Sequence, residues 1–379
     1  MSVVKIPDAR DLNNATCSCG EECCGGASAK GPEKASVPTR LFSRGVVSTP
    51  SGEIPAVDSR LSRRDRRGAI RVRLAIGRDH YAVTPGLYAL GAPDPWSPVL
   101  VTSNYKLSFD RLREAVPGLN AWILALDTSG INVWCAAGKG TFGTDELEKR
   151  IAASDLKKVV SHRTLILPQL GAPGVSAPEI ARRTGFRVVF GPVRAADLKA
   201  FLDAGMKATP AMRQVRFTFK DRRTLVPVEV SMIVQSRVFQ ALFVLWLIAM
   251  AAGLKDAPFL GLALAGAILT GAVLTPILLP WIPARMFAAK GAILGFLWTA
   301  VLWALRGSLP VGTPEIVLAV STFLILPALS AFLAMNFTGS STFTSLSGVV
   351  AEMKASVPVM VVSGAAGLIA GVASYLIRV

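Results

Sequence analysis

The chain has 379 residues, a formal net charge of +16 and two histidines, His80 and His162. So few histidines argue against multi-histidine zinc sites and the common nucleophile–base triads, and five cysteines in a chain this long do not form a disulfide scaffold. An apolar fraction of 51% and a mean hydropathy of +0.47 are high for a soluble protein and point to a membrane part.

Residues 1–57 are rich in Gly, Pro, Ser and Ala, lack apolar periodicity and read as a disordered tail. Met1–Asn14 holds no apolar h-region, so no cleavable signal peptide is expected. Cys17, Cys19, Cys23 and Cys24 crowd into this tail. They are either incidental thiols or a place where a soft metal ion is captured, since vicinal thiols hold soft metals well. A basic run follows, with Arg60, Arg63, Arg64, Arg66, Arg67, Arg71 and Arg73. It reads as a solvated linker, a contact for nucleic acid or a contact for anionic lipid.

Residues 58–237 alternate short apolar runs with helical patterns. Predicted strands are Val72–Ile76, Val99–Thr102, Trp122–Leu126, Leu165–Leu167 and Val188–Phe190. Predicted helices are Phe109–Ala115, Thr144–Ala153, Ser176–Thr184 and Ala195–Ala204, with Thr144 and Ser176 as N-caps and Gly185 closing the third. The alternation predicts a Rossmann-like α/β domain on a mostly parallel sheet.

Residues 238–379 change character. Only six basic and three acidic residues lie from Phe239 onward, against 35 and 22 before it. Apolar runs at 238–254, 258–279, 286–305, 316–335 and 357–377 predict an all-α membrane domain of five spans. Trp246, Trp281, Trp298 and Trp303 are expected as interface anchors, and Gly291/Gly295 and Gly367/Gly371 have the spacing for close helix contact. Charge in the short loops is balanced, so Lys220, Arg222, Arg223 and Arg237 decide the orientation and place the α/β domain in the cytoplasm, on the inner membrane.

Two nucleotide motifs fail. Gly138-Lys139-Gly140-Thr141-Phe142-Gly143 fits G-x-G-x-x-G, but the next strand ends at Pro168-Gln169 with no acid to hold a ribose. A P-loop is excluded because Val133 stands where its first glycine belongs. The cobalamin signature D-x-H-x-x-G is also missing, Asp79 and His80 being adjacent. Cys135 is the one cysteine outside the tail. A lone cysteine is usually a small buried hydrophobe. Here it stands between Trp134 and two alanines, followed by Gly138, Gly140 and Gly143. Small residues let backbone approach something large and flat, with the thiol as a soft ligand beneath it; the flat object is read as a corrin ring.

The run Asn132-Val133-Trp134-Cys135-Ala136-Ala137-Gly138-Lys139-Gly140 resembles the cap-helix motif of the mercury methylation corrinoid protein family, which is related to the large subunit of the corrinoid iron–sulfur protein of acetyl-CoA synthesis. The resemblance extends to Thr102–Asp110, Leu167–Val175, Phe190–Arg194 and the five apolar runs, with Asn336-Phe337-Thr338-Gly339 before the last. The tail before residue 57 is not matched by the resemblance, and the iron–sulfur domain of the soluble relative is missing; Cys17, Cys19, Cys23 and Cys24 would either capture Hg(II) or be incidental thiols. The resemblance implies a cobalamin over the strand ends with the Cys135 thiolate as lower axial ligand to cobalt. Asn132, Val133, Trp134, Ala136 and Ala137 would shape the cap, Gly138 and Gly140 would admit the ring, and Lys139 would meet a corrin amide oxygen. Thr102, Asn104, Gln169, Gly171, Gly174, Val175, Gly191, Pro192 and Val193 would complete the cofactor site. The implied reaction is a corrinoid-dependent methyltransferase reaction that passes methyl from methyl-Co(III) to Hg(II). Implied partners are a methyl-tetrahydrofolate-type donor or its methyltransferase, a small ferredoxin with two 4Fe–4S clusters, the membrane and a second copy in a homodimer, with no nucleic acid. A membrane corrinoid methyltransferase of one-carbon metabolism with another substrate, and a transporter with a cytoplasmic α/β domain, remain as alternatives.

Overall fold

The computed structural model describes residues 37–307, 310–340 and 346–378. Cys17, Cys19, Cys23 and Cys24 lie outside these residues. Two compact units emerge, Met1–Val215 and Arg216–Val379.

In the first unit a seven-stranded sheet runs in the order β1-β2-β3-β5-β4-β6-β7. Strand β1 is Ser43–Thr49, β2 Gly52–Val57, β3 Gly86–Leu90, β4 Val99–Ser103, β5 Ala121–Leu126, β6 Thr164–Leu167 and β7 Arg187–Phe190. Strands β4 to β7 are mutually parallel, whereas β3 pairs antiparallel with β5, and β1 antiparallel with β2. The sheet is therefore mixed. Its middle strands are buried along their whole length, as expected where helices cover both faces. Seven helices attend it: α1 Arg63–Arg73, α2 Lys106–Ala115, α3 Val133–Gly138, α4 Thr144–Ala153, α5 Leu156–Val159, α6 Ala177–Thr184 and α7 Leu198–Asp203. One apolar cluster gathers Val101, Leu124, Phe142 and Leu165 on one face; the other gathers Tyr88, Phe109, Ile123 and Phe201.

Several expectations are corrected. Residues 43–57, read as tail, form the β1–β2 hairpin, whose Ile54 and Val57 are buried. Residues 72–76, read as a strand, close helix α1, which starts at a capping box between Ser62 and Asp65. Thr144 is the first residue of α4 rather than its cap, and its hydroxyl accepts from the Ser176 amide at 2.9 Å. Ser176 holds the N-cap position of α6 without a side-chain cap bond, and Gly185 ends that helix at φ 75°. The predicted helix at 195–204 is a short 3-10 turn followed by α7.

The second unit is helical: α8 Phe219–Gln235, α9 Arg237–Ala251, α10 Ala257–Ile268, α11 Thr275–Leu278, α12 Phe287–Arg306, α13 Thr313–Asn336 and α14 Leu346–Arg378. A π-helical turn at Leu269–Leu274 joins α10 to α11. Among the described residues, four segments are long and apolar enough to cross a membrane: Ala257–Leu278, Phe287–Arg306, Thr313–Asn336 and Gly348–Ile377. A fifth exists only if α8 and α9, bent by 65° at their junction, count as one. The expected first span at 238–254 is α9, only 15 residues long. Helix α8 belongs to this unit because Arg222 Nε donates to the Ile277 carbonyl at 3.2 Å and its guanidinium lies over Trp281. The two compact units divide at 215/216, whereas the sequence pattern changes at 237/238.

Small residues bring α13 close to its neighbours. A Cβ at Gly295 would stand 2.7 Å from Pro327 Cα, and one at Gly367 would stand 2.6 Å from Ile325 Cγ1. Three of the four expected anchor tryptophans tie helices together. Trp246 donates to Ala257 O, Trp298 to Ala263 O and Trp303 to Thr322 Oγ1, at 2.9, 3.1 and 2.9 Å. Trp281 alone is largely exposed.

Candidate functional site

Parallel strands β4, β5, β6 and β7 present their C-terminal ends on one edge, where ligands bind in open α/β sheets. Four segments leave that edge: Asn104 after β4, the Asp127–Asn132 loop and α3 after β5, the Gln169–Gly171 turn after β6 and Gly191–Val193 after β7.

The loop into α3 is built around Asn104. Its Oδ1 accepts from the Thr128 amide at 3.1 Å and the Gly130 amide at 3.0 Å. The Thr128 hydroxyl lies 2.8 Å from that oxygen and 2.8 Å from the Ile131 carbonyl. This bonding holds Ser129 and Gly130 in left-handed turn conformations, at φ 55° and 75°. Asp127 is fixed from the other side, its amide donating to Glu146 Oε1 at 2.8 Å. Asn132 then caps α3, its Oδ1 accepting from the Cys135 amide at 2.9 Å.

Helix α3 splits its residues by face. Val133, Ala136 and Ala137, spaced i, i+3, i+4, are buried against the sheet. Trp134 is 42% exposed, Cys135 half-buried, and Gly138, Lys139 and Gly140 exposed. Cys135 carries no disulfide. A Cβ built on Gly138 or Gly140 would meet nothing within 4 Å, so backbone there faces open space. Gly140 also sits at φ 78°, which favours glycine.

The other predicted site glycines do a different job. A Cβ on Gly174 would overlap the Phe142 carbonyl oxygen and approach Ala137 Cα to 3.1 Å; one on Gly171 would come within 2.5 Å of Phe142 Cε1. These glycines let the β6–α6 loop close beneath α3. Val175 is in the apolar core, Thr102 and Asn104 are buried, and Gly191 and Pro192 are buried at the end of β7. Gln169 and Val193 are half-buried on the same edge, Gln169 Oε1 accepting from Arg213 Nη1 at 2.7 Å. The groups that can touch an incoming ligand are therefore Trp134, Cys135, Gly138, Lys139 and Gly140, flanked by Gln169 and Val193. The failed G-x-G-x-x-G stretch runs from α3 into α4, with no strand leading into it.

Sequence reasoning missed a buried ionic cluster at the start of α2. Lys106 Nζ contacts Asp65 at 2.8 Å and Asp110 at 2.6 Å; Arg113 contacts Asp65 at 2.9 Å and Asp110 at 2.7 Å. All four side chains are buried. Burial raises the Asp65 carboxyl, but the hydrogen bond and charge of Lys106, with bonds from Ser62, bring it down to about 2. The i, i+4 spacing of Lys106 and Asp110 was the available signal. A cavity of about 240 Å³ opens beside this cluster, and another of about 350 Å³ lies between Asp256, Phe259 and Arg306; neither includes Cys135. His162 is a strand-end residue, Nδ1 accepting from the Thr164 amide and Nε2 meeting Ser97 O.

Among the described residues, no group of three or more His, Cys, Asp or Glu side chains could hold a bare metal ion. One soft sulfur on an open surface suits a metal that arrives with its equatorial ligands already in place. This fits a macrocyclic metal cofactor better than a protein-built metal centre.

The α/β sheet carries a capped, thiol-bearing helix at its strand ends, the edge where ligands bind in open sheets of this kind. The comparisons point to one lineage for it. Residues 76–202 match the family model of the CO dehydrogenase/acetyl-CoA synthase delta subunit. Subunit gamma of the acetyl-CoA decarbonylase/synthase complex of Methanopyrus kandleri is 31% identical over 128 residues, covering 33% of this chain and 27% of the relative. Subunit gamma 2 of the same complex from Methanosarcina thermophila is 35% identical over 130 residues, with the same two coverages. The chain spans about a quarter of the length of these curated relatives. The matches support kinship of residues 76–202 with the CO dehydrogenase/acetyl-CoA synthase family and do not single out mercury methylation.

Proposed function

We propose that the chain is a membrane-held, corrinoid-dependent methyltransferase whose α/β unit binds cobalamin over the strand ends with the Cys135 thiolate beneath cobalt. The observation that carries this is the half-exposed thiol on α3, pinned by Asn132 beside backbone that faces open space. Its likeness to relatives named as acetyl-CoA decarbonylase/synthase subunits supports the corrinoid part. The resemblance of Asn132–Gly140 to the mercury methylation corrinoid protein supports Hg(II) as methyl acceptor. A bound corrinoid supplies a metal centre that takes up and releases a methyl group.

The chain's own residues do the rest. Asn132 fixes the Cys135 backbone at the first turn of α3, which sets the position from which the thiol projects. A cysteine thiol ordinarily titrates near 8.5, and coordination to a cationic metal removes its proton outright. The Cys135 thiolate would hold the corrinoid metal as a soft, strongly donating ligand. Gly138 and Gly140 permit close approach, Trp134 offers a flat apolar face and Lys139 a donor for amide oxygens. Electrons and methyl groups come from a small ferredoxin and a methyl-tetrahydrofolate-type donor. The helical unit anchors the chain in the cytoplasmic membrane, with the α/β unit facing the cytoplasm.

Purified protein mixed with hydroxocobalamin should retain it through gel filtration with a shifted corrin spectrum. Cys135→Ala should keep the fold, since alanine fits beside Ala136 and Ala137. It should lose the spectral shift and at least about 100-fold of methylmercury formation in a complemented deletion strain. Full methylation by that variant sinks the thiolate role. The second reading, a methyltransferase of one-carbon metabolism, follows from the relatives' names. It wins if the strain forms no methylmercury yet the pure protein binds cobalamin through Cys135.

A further inference from the structure

We infer that helix α1 is a docking face for an anionic lipid surface. Residues 63, 67, 70 and 74 share one face of the helix and its C-cap. Along that face exposed Arg63 and Arg67 are followed by exposed Ile70 and Leu74, with exposed Arg66 and Arg71 on its flanks. The opposite face is spent on the fold. Asp65 and Val72 are buried, and a Cβ on Gly68 would overlap the Tyr81 hydroxyl. Asp65 is the only acid of the helix, and its carboxylate is taken by Lys106 and Arg113. No acid of α1 therefore offsets the outward arginines.

A bilayer interface offers the two things this face asks for: phosphates for guanidinium groups and hydrocarbon for branched apolar side chains. Nucleic acid offers the phosphates but nothing for Ile70, Leu74 and the nearby exposed Ile76. The same chain also holds four helices long and apolar enough to cross a membrane. This inference rests on those helices spanning a membrane.

The full chain is reconstituted into nanodiscs of phosphatidylcholine, with or without phosphatidylglycerol, carrying photoreactive p-benzoylphenylalanine in place of Ile70, exposed Val46 of β1 or exposed Val362 of α14. Position 362 should cross-link lipid in both disc types. Position 70 should do so only with phosphatidylglycerol, and position 46 in neither. The added changes Arg66→Gln, Arg67→Gln and Arg71→Gln should lower the position-70 adduct at least about tenfold, each arginine being worth about fivefold at an anionic surface. No lipid adduct at 70 while 362 cross-links overturns the inference. Equal adduct at 70 in both disc types overturns its charge basis, and loss of the lipid adduct to added duplex DNA assigns the face to nucleic acid. No adduct at 362 overturns the membrane-span reading instead.

Discussion

The ionic cluster on α1–α2 and the cap helix α3 handle reactive groups in opposite ways. Around Lys106, two cations and two carboxylates are removed from water and bonded to one another. Around Cys135 a single soft group stands half in solvent, and the Asn104 and Asn132 side chains bond the backbone that carries it. Buried charge is costly unless fully paired, so the first region is an all-or-nothing foundation. The second concentrates those bonds upstream of a half-exposed thiol. Fixing a site and exposing it are divided between neighbouring elements.

The largest effect that would break this contrast comes from the foundation. Lys106→Met leaves Asp65 and Asp110 with one cation between them and should destabilise the α/β unit by about 3–5 kcal/mol, read by chemical denaturation. An equally stable variant would mean that the cluster is not a foundation.

Acid should act on the same cluster. The Asp65 carboxyl is lower in the folded chain than the ordinary carboxylate range, so the unfolded chain binds its proton first. Its contribution, on the order of 2 kcal/mol, is complete above about pH 4 and is lost as pH falls toward the folded value of about 2. Asp65→Asn should remove that acid-dependent part of the stability curve. An unchanged curve would rule Asp65 out as its source.

The glycines around α3 sharpen the comparison. Gly174→Ala collides with the Phe142 carbonyl and should cost about 1–3 kcal/mol of stability. Gly138→Ala meets nothing and should leave stability unchanged while weakening cobalamin retention. Reversal of the two results would mean that their assigned roles are exchanged. The smallest effect is Asn132→Ala, which removes one cap bond and should cost about 1 kcal/mol, with a broadened corrin spectrum as its second readout.

Much of this was legible in the residues. Strands β4 to β7 read as short apolar runs because parallel strands are buried on both faces. The β1–β2 hairpin did not, because Gly45, Pro50, Gly52 and Pro55 mask its alternation. Helix α1 was hidden because its inner face uses Asp65, Gly68 and Ala69 with only Val72 as a large apolar residue, so no apolar period marks it. Within the site, the cap motif located Cys135 and its neighbours. Sequence gave no means to tell the glycines that face open space from those that pack, or to see that Asn104 organises a loop. Those distinctions depend on contacts between segments that lie about 24 to 37 residues apart.

Asn104 also bears on the entropy of binding. The turn at 128–130 and the first turn of α3 are already ordered by side-chain bonds, so a ligand settling over the cap pays little to immobilise them. The backbone left to be stilled is the short exposed stretch 138–140. Affinity lost by loosening Asn104 would therefore come as an unfavourable entropy of association, with no contact to the ligand removed.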